Sequence, residues 1–558
     1  MKAAFRTGAV IVAALSLCAC GTSDLTPDQA AEDLNSLISS NTIKYQTVSH
    51  DPDPSWYGVN DPASELPPID TTYPLSVRGD APINVEIFAS TEKSAAAGNR
   101  WFDVMAKDFN ASNPTIDGRR VSVSIRPIAS GLALSYITSG VHVPEAYSPA
   151  NNLWAAMIQS QGIQVTQIEQ RLAGNTAGIL MKQAAYDKYI AQYGSVTMAN
   201  VVKAVMDGNL RLGHTDPNSS STGLNILTQE LLAMDPANPV SADAASQFSQ
   251  FQSHIPPASP TTDEMAKVAA RGSIDAMTME SQAYMAEPSL QTGWVFTPLG
   301  VRHDSPLYGL GAISPDQQQA LRMFADWCLQ PDSQASATSF HFNLHDDYTY
   351  TGPTLTGDQL YAALQLWKQN KDAGKPVLSV FVVDRSGSMA GEPLNQAKLA
   401  MTRSIININQ VNYIGLVSFS SDDNITVDLP IAQFSNDQQD LFAGAVRDLS
   451  AGGNTATNSA ILLAAKLLLD KQTDVPNAIE RILVFTDGAQ NAGLGLARTA
   501  KIIKGLGISV YGVGFNLAND QSLADLQSLA SLNEGGYCIN ADNDVVVSQL
   551  KSLFQSAL

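Results

Sequence analysis

Residues 377–389 read VLSVFVVDRSGSM, and the fold of the C-terminal half follows from how that stretch changes character at its midpoint. Val377–Val383 is a continuous apolar run rich in β-branched residues, as in a central strand of a parallel sheet covered on both faces. Asp384-Arg385-Ser386-Gly387-Ser388-Met389 then places one carboxylate and two hydroxyls on a loop at the strand's carboxyl end. Alternate residues of a tight loop aim their oxygens at one centre. Hard divalent cations prefer such oxygens, Mg²⁺ within an octahedron completed partly by water. A single loop offers too few ligands, so further ones are expected after neighbouring strands.

The sequence supplies them. Gly452-Gly453-Asn454-Thr455 precedes a helix expected over 459–469 and offers the Thr455 hydroxyl. Arg481–Phe485 reads as another buried strand, and Thr486-Asp487-Gly488 after it offers the Asp487 carboxylate. Strand signals at 413–418 and 508–513 alternate with helix signals near 442–449 and 523–532, and a last helix ends near Leu553. Such alternation over 376–558 specifies a doubly wound, Rossmann-like α/β domain. The Asp-x-Ser-x-Ser loop, the Thr of the second loop and the Thr-Asp-Gly of the third resemble a von Willebrand factor type A (VWA) domain. The resemblance implies a metal-ion-dependent adhesion site (MIDAS). In it Ser386, Ser388 and Thr455 coordinate Mg²⁺ (or Mn²⁺), Asp384 and Asp487 act largely through water, and one position stays open for an acidic side chain of a protein partner. Two carboxylates only roughly neutralise the cation, which remains an electrophile toward a third. That is binding, not catalysis, and no HExxH, GxxxxGK or CxxC motif and no paired nucleophile and base suggest an enzyme.

Upstream, Leu360, Leu364 and Trp367 give an expected helix over 358–370 one apolar stripe, within a linker placed at 346–375. Before it, 81–345 alternates again. INVEIFA (83–89) and Val121–Ile125 read as strands, with helices through Trp101 and Phe109 and around Trp154. The segments INVEIFAST, VPEAYSPANNLW (143–154), GHTDPNSSSTGL (213–224) and SIDAMTMES (273–281), with the stretch Asp316–Phe340, resemble a bacterial extracellular solute-binding protein. The resemblance implies a periplasmic-binding-protein-like pair of α/β lobes, one from about 81–170 plus 276–345, the other from about 175–275. Ser90, Ser148, Ser221 and Thr222, with Glu280, become ligand contacts for a small solute or oxyanion. Helix N-termini favour oxyanions, although Ser and Thr at those places also serve as plain caps.

The N-terminus opens with Lys2 and Arg6 before an apolar run, Ala9–Leu17, too short to span a membrane. Leu17-Cys18-Ala19-Cys20 resembles a bacterial lipoprotein box, which implies cleavage after a signal peptide at 1–19 and lipid on Cys20. Residues 20–80, rich in Pro, Asp, Ser and Thr, read as a flexible tether. Arg78-Gly79-Asp80 is a chance triplet, and His341 and His345, with no third ligand nearby, read as a surface loop. Cys328 and Cys538 are expected to be unpaired. With 53 Asp and Glu against 33 Lys and Arg, the net charge of −20 excludes nucleic acid as a partner.

The combined expectation is an extracytoplasmic, membrane-anchored lipoprotein. It binds a protein partner through the metal site and uses the two-lobed region to sense a solute or as a scaffold. The alternative is the solute receptor of an ABC-type transporter, with the VWA domain as docking module.

Overall fold

The computed structural model describes residues 24–558 apart from 60–65, 260–261, 271, 489, 516, 518–519 and 542–545. The expected signal peptide and Cys20 lie outside the described residues. Among the described residues, no helix is long and apolar enough to cross a membrane.

A seven-stranded sheet organises the C-terminal half. Its order is Tyr45–Thr47, Ile425–Gln433, Tyr413–Phe419, Val377–Asp384, Ile479–Thr486, Ser509–Phe515 and Cys538–Ala541. Only the pairing of 413–419 with 425–433 is antiparallel. Every residue of Val377–Asp384 is buried, which explains its unbroken apolar run. Successive side chains enter opposite cores. Val377, Phe381 and Val383 pack with Leu394, Met401, Phe442 and Leu553. Leu378, Val380 and Val382 pack with Leu463, Leu468 and Ile503.

The expected tether is instead folded chain. Thr26 caps the helix Pro27–Ser39 through a reciprocal bond with Gln29, and Ala30, Leu34 and Leu37 are buried. Leu34 and Leu37 belong to the same core as Leu463 and Ile503. Tyr45–Thr47 adds an edge strand parallel to 425–427. Trp56 is buried in the opposite core, its indole N–H donating to Asp440 Oδ1 at 2.8 Å. Gly444 admits this segment closely, since a Cβ there would lie 2.0 Å from the Asp51 carbonyl oxygen. The C-terminal domain is therefore built from two distant stretches, 24–56 and 376–558, with the two-lobed region inserted between them. Residues 67–77 already serve that inserted region. Arg126 bonds Asp70 and the Tyr73 carbonyl, and Val77 bridges to Ile125.

The inserted region has two sheets. The first lobe holds six strands in the order Thr115–Ile116, Arg119–Pro127, Ile83–Ala89, Ala146–Ser148, Leu307–Leu310 and Val165–Glu169. The second holds Trp294–Arg302, Thr176–Lys182, Ala276–Glu280 and Leu212–Gly213. The expected boundary at 276 is thus corrected to just after 302. Both 276–280 and 294–302 pair antiparallel with 176–182, in a register that sets Ile179 opposite both Thr278 and Thr297. The expected linker helix, Gly357–Asn370, is a strap. Leu360, Ala363, Leu366 and Trp367 share one core with Trp154 and Met157 of the first lobe and Leu224 and Phe248 of the second. After it, Asp372 pairs with Lys371 at 2.7 Å and with the buried Arg481 of the seven-stranded sheet at 2.8 Å.

Candidate functional site

Three loops meet at the carboxyl ends of Val377–Asp384 and Ile479–Thr486. The Ser386 N–H donates to Asp384 Oδ1 at 2.8 Å, and the Thr486 hydroxyl donates to Asp384 Oδ2 at 2.6 Å. The Ser386 and Ser388 hydroxyls stand 3.0 Å apart, and Ser388 donates to Asp487 Oδ1 at 2.8 Å. The Gly387 N–H donates to the Gly453 carbonyl and Gly452 returns a bond to Arg385, which ties the second loop to the first. Thr455, two residues on, is buried, and its N–H is held by Asn491 Oδ1 at 2.9 Å.

Electrostatics distinguish the two carboxylates. Burial pushes Asp384 up to about 6, against the bonds it accepts from Thr486 and Ser386. Burial also raises Asp487, which is less enclosed. The only cation on these loops is turned away, as Arg385 donates to Ser418 Oγ and Asn424 Oδ1. Oxygen donors without a neutralising side chain, open on the side of the exposed Ser388, suit a hard divalent cation. Among the described residues no group of three or more His, Cys, Asp or Glu can hold a metal, so this centre depends on its hydroxyls. Reasoning from sequence passed over Thr486 and Asn491 as supporting groups, although Thr486 stands inside the quoted Thr-Asp-Gly.

Of the five contacts expected in the two-lobed region, Ser90 and Ser148 meet in the first lobe, Thr222 and Glu280 meet in the second, and Ser221 is bonded across the seam. The Ser90 N–H donates to the Ser148 carbonyl at 3.1 Å. Trp154 Nε1 donates to Ser221 Oγ at 2.9 Å. Thr222 Oγ1 donates to Glu280 Oε1 at 3.3 Å. Further side chains join these residues. Asn175 Nδ2 donates to Glu280 Oε2 at 2.9 Å, and His303 Nδ1 lies 2.7 Å from Glu280 Oε1. The amides of Asn151 and Asn225 both approach His303 Nε2, at 3.0 and 3.1 Å. Backbone N–H groups of Leu153 and Val301 occupy the oxygens of those amides, so their nitrogens face the imidazole. Nδ1 thus faces the Glu280 carboxylate, and Nε2 faces the two amide nitrogens.

Beside Ser90 lies Lys93, fully buried, whose ammonium bonds Ser90 Oγ, Glu92 Oε1 and the Pro149 carbonyl. Against the penalty of burial, the Lys93 ammonium and the Ser90 hydroxyl hold Glu92 below the usual carboxylate range. No sequence signal marks Lys93, since lysine burial is a tertiary event.

The other singled-out residues have structural surroundings. His341 and His345 lie in a loop, where His345 packs on Phe296 and the neighbouring Asp346 pairs with Arg171 and Arg302. The Gly79 N–H donates to Ser124, and Asp80 pairs with Arg120. Among the described residues, neither Cys328 nor Cys538 forms a disulfide.

Residues 380–554 match the von Willebrand factor type A domain family. Residues 93–343 match the bacterial extracellular solute-binding protein family. Among curated proteins, inter-alpha-trypsin inhibitor heavy chain H3 of Mesocricetus auratus is 29% identical over 174 residues, covering 29% of this chain and 19% of the relative. This chain thus spans about a fifth of the length of that relative. Among solved structures, a von Willebrand factor type A protein from Catenulispora acidiphila is 20% identical with a TM-score of 0.29, covering 32% of this chain and 42% of its own. The sulfate-binding protein SubI from Mycobacterium tuberculosis H37Rv is 13% identical with a TM-score of 0.34, covering 52% and 91%. The chain therefore joins a solute-binding region to a C-terminal type A domain, both of mixed α/β architecture.

Proposed function

We propose that the chain is an extracytoplasmic lipoprotein, anchored through Cys20, whose type A domain binds a protein partner through a divalent cation. Ser386, Ser388 and Thr455, with Asp384 and Asp487, would hold Mg²⁺ (or Mn²⁺). When bound, the cation supplies an electrophilic position for a carboxylate of the partner. The chain's own residues do the rest. The Ser386 N–H and the Thr486 hydroxyl fix both oxygens of Asp384, Ser388 aligns Asp487, and the Gly387–Gly453 bond holds the Thr455 loop in place.

The observation that supports this reading is the hydrogen-bonded group of Asp384, Ser386, Ser388 and Asp487 at one rim of the sheet, beside the Thr455 loop, with no side-chain cation bonded to the two carboxylates among the described residues. The solute-binding region supports an extracytoplasmic location. Calorimetry with Mn²⁺ and Mg²⁺ tests the metal site. Wild type binds either ion, and Asp384→Ala binds at least about 100-fold more weakly. Equal affinity in the two proteins refutes the site.

A further inference from the structure

The metal-site reading makes no use of the buried polar cluster at the seam between the two lobes. We propose that Lys93 is a built-in ligand there: its ammonium fills a primary-ammonium site at the seam, and the solute-binding region is held closed by the chain itself. This inference is independent of the metal-site reading.

The first argument is donor arithmetic. A lysine ammonium has three N–H donors. Here it meets three acceptors of the first lobe, Ser90 Oγ, Glu92 Oε1 and the Pro149 carbonyl, the last two at 3.1 and 3.2 Å. No N–H is left for an anionic solute, so Lys93 is an occupant and not a waiting contact. Burial pulls the Lys93 ammonium below its usual range, against the attraction of Glu92 and, across the seam, of Glu280.

The second argument is charge. Lys93 faces carboxylates from both lobes, Glu92 and Glu280. That surrounding disfavours an oxyanion and suits an ammonium. A fully buried ammonium is costly unless paired and hydrogen-bonded, and this one is both.

The third argument is closure. The lobes touch directly through hydrogen bonds. Trp154 bonds Ser221, Asn151 Nδ2 donates to the Ser221 carbonyl at 3.3 Å, and the Gly131 N–H donates to the Ser219 carbonyl at 3.4 Å. A Cβ at residue 131 would fall 1.9 Å from the Asn218 carbonyl oxygen. The strap helix 357–370 buries its apolar face against both lobes at once. Opening would expose that face as well as the seam.

The test uses the full chain. Acetic anhydride labelling of wild type, read residue by residue by mass spectrometry, should modify Lys93 at least about tenfold more slowly than the exposed Lys203. Lys93→Ala should lower Tm by about 5 °C or more. n-Propylammonium, which reproduces the side chain from Cγ to Nζ, should restore most of that loss saturably, and tetramethylammonium should not. Wild-type Tm should respond to neither amine, nor to sulfate or phosphate. Labelling of Lys93 as fast as Lys203 overturns the proposal, as does a wild-type Tm raised by sulfate or phosphate, or a destabilised variant that propylammonium does not rescue. If Lys93→Ala fails to fold, the wild-type labelling and anion measurements decide alone.

Discussion

The rim of the type A sheet and the seam of the solute-binding region are both clusters of oxygens gathered from several loops, but they balance charge in opposite ways. At the rim, Asp384 and Asp487 accept bonds only from hydroxyls and a backbone N–H, while Arg385 is committed to Ser418 and Asn424. At the seam, Lys93 answers Glu92, and His303, Asn175 and Thr222 satisfy Glu280. A buried carboxylate without a cation costs free energy that an incoming ion recovers. The fold leaves that cost standing at the rim and removes it at the seam. On the proposed reading the rim looks outward for a cation and a partner, whereas the seam meets its charges from within, the Ser148 hydroxyl apart.

The comparison breaks most completely if the rim loses its scaffold. Residues 24–56 bury Leu34, Leu37, Ile43 and Trp56 against the type A domain. Each such side chain contributes roughly 1.5–3 kcal/mol, so together they approach the whole stability of a domain, about 5–15 kcal/mol. Deleting 24–56 from the full chain should therefore abolish the type A unfolding transition in calorimetry and with it Mn²⁺ binding. A deletion protein that binds Mn²⁺ like wild type would show that the segment is dispensable decoration.

A smaller and more local effect is expected from Thr486→Val, which keeps shape and removes the 2.6 Å bond to Asp384. Groups that orient a metal-bound carboxylate typically account for about 10–100-fold in affinity. A loss of about tenfold in Mn²⁺ affinity, with no change in Lys93 labelling, would sharpen the contrast between the two sites. An unchanged affinity would mean that Ser386 alone positions the carboxylate.

How much of this was legible in sequence depended on whether a feature is local. Val377–Asp384 and the loop after it announced themselves because a buried parallel strand needs an unbroken apolar run, and the donor residues lie within a few positions of one another. The segment 24–56 was misread because its average composition is polar. The local signals were nevertheless present: Thr26-Pro27-x-Gln29 is a capping box with Pro in the first turn, followed by Ala30, Leu34 and Leu37 at helical spacing. Tyr45–Thr47 carried no such signal. Its three residues are all exposed and become a strand only by pairing with a partner some 380 positions away. The lobe boundary failed for the same reason, since sheet membership of 276–302 is decided by antiparallel pairing with 176–182. At the seam, the hydroxyls were legible as caps after strands, whereas Lys93 was not, because nothing adjacent to it in sequence requires it to be buried.

The smallest expected effect is the most discriminating at the seam. Of the five contacts read from sequence, Ser148 alone has a buried hydroxyl with no hydrogen-bond partner. If a solute were meant to complete it, Ser148→Ala would cost the region its ligand response while leaving the free protein much as before. If the seam is already complete, that hydroxyl is only an unsatisfied polar atom, and burying one costs on the order of 1 kcal/mol. Ser148→Ala should then leave Tm unchanged or raise it by a degree or two, with no solute dependence in either protein. The methyl of alanine keeps the Ser90 N–H bond to the residue 148 carbonyl, so the seam's geometry is preserved and the readout isolates the hydroxyl. A clear drop in Tm would show that Ser148 Oγ has a partner in solution, most simply a bound solute, and would return the seam to the class of sites that look outward.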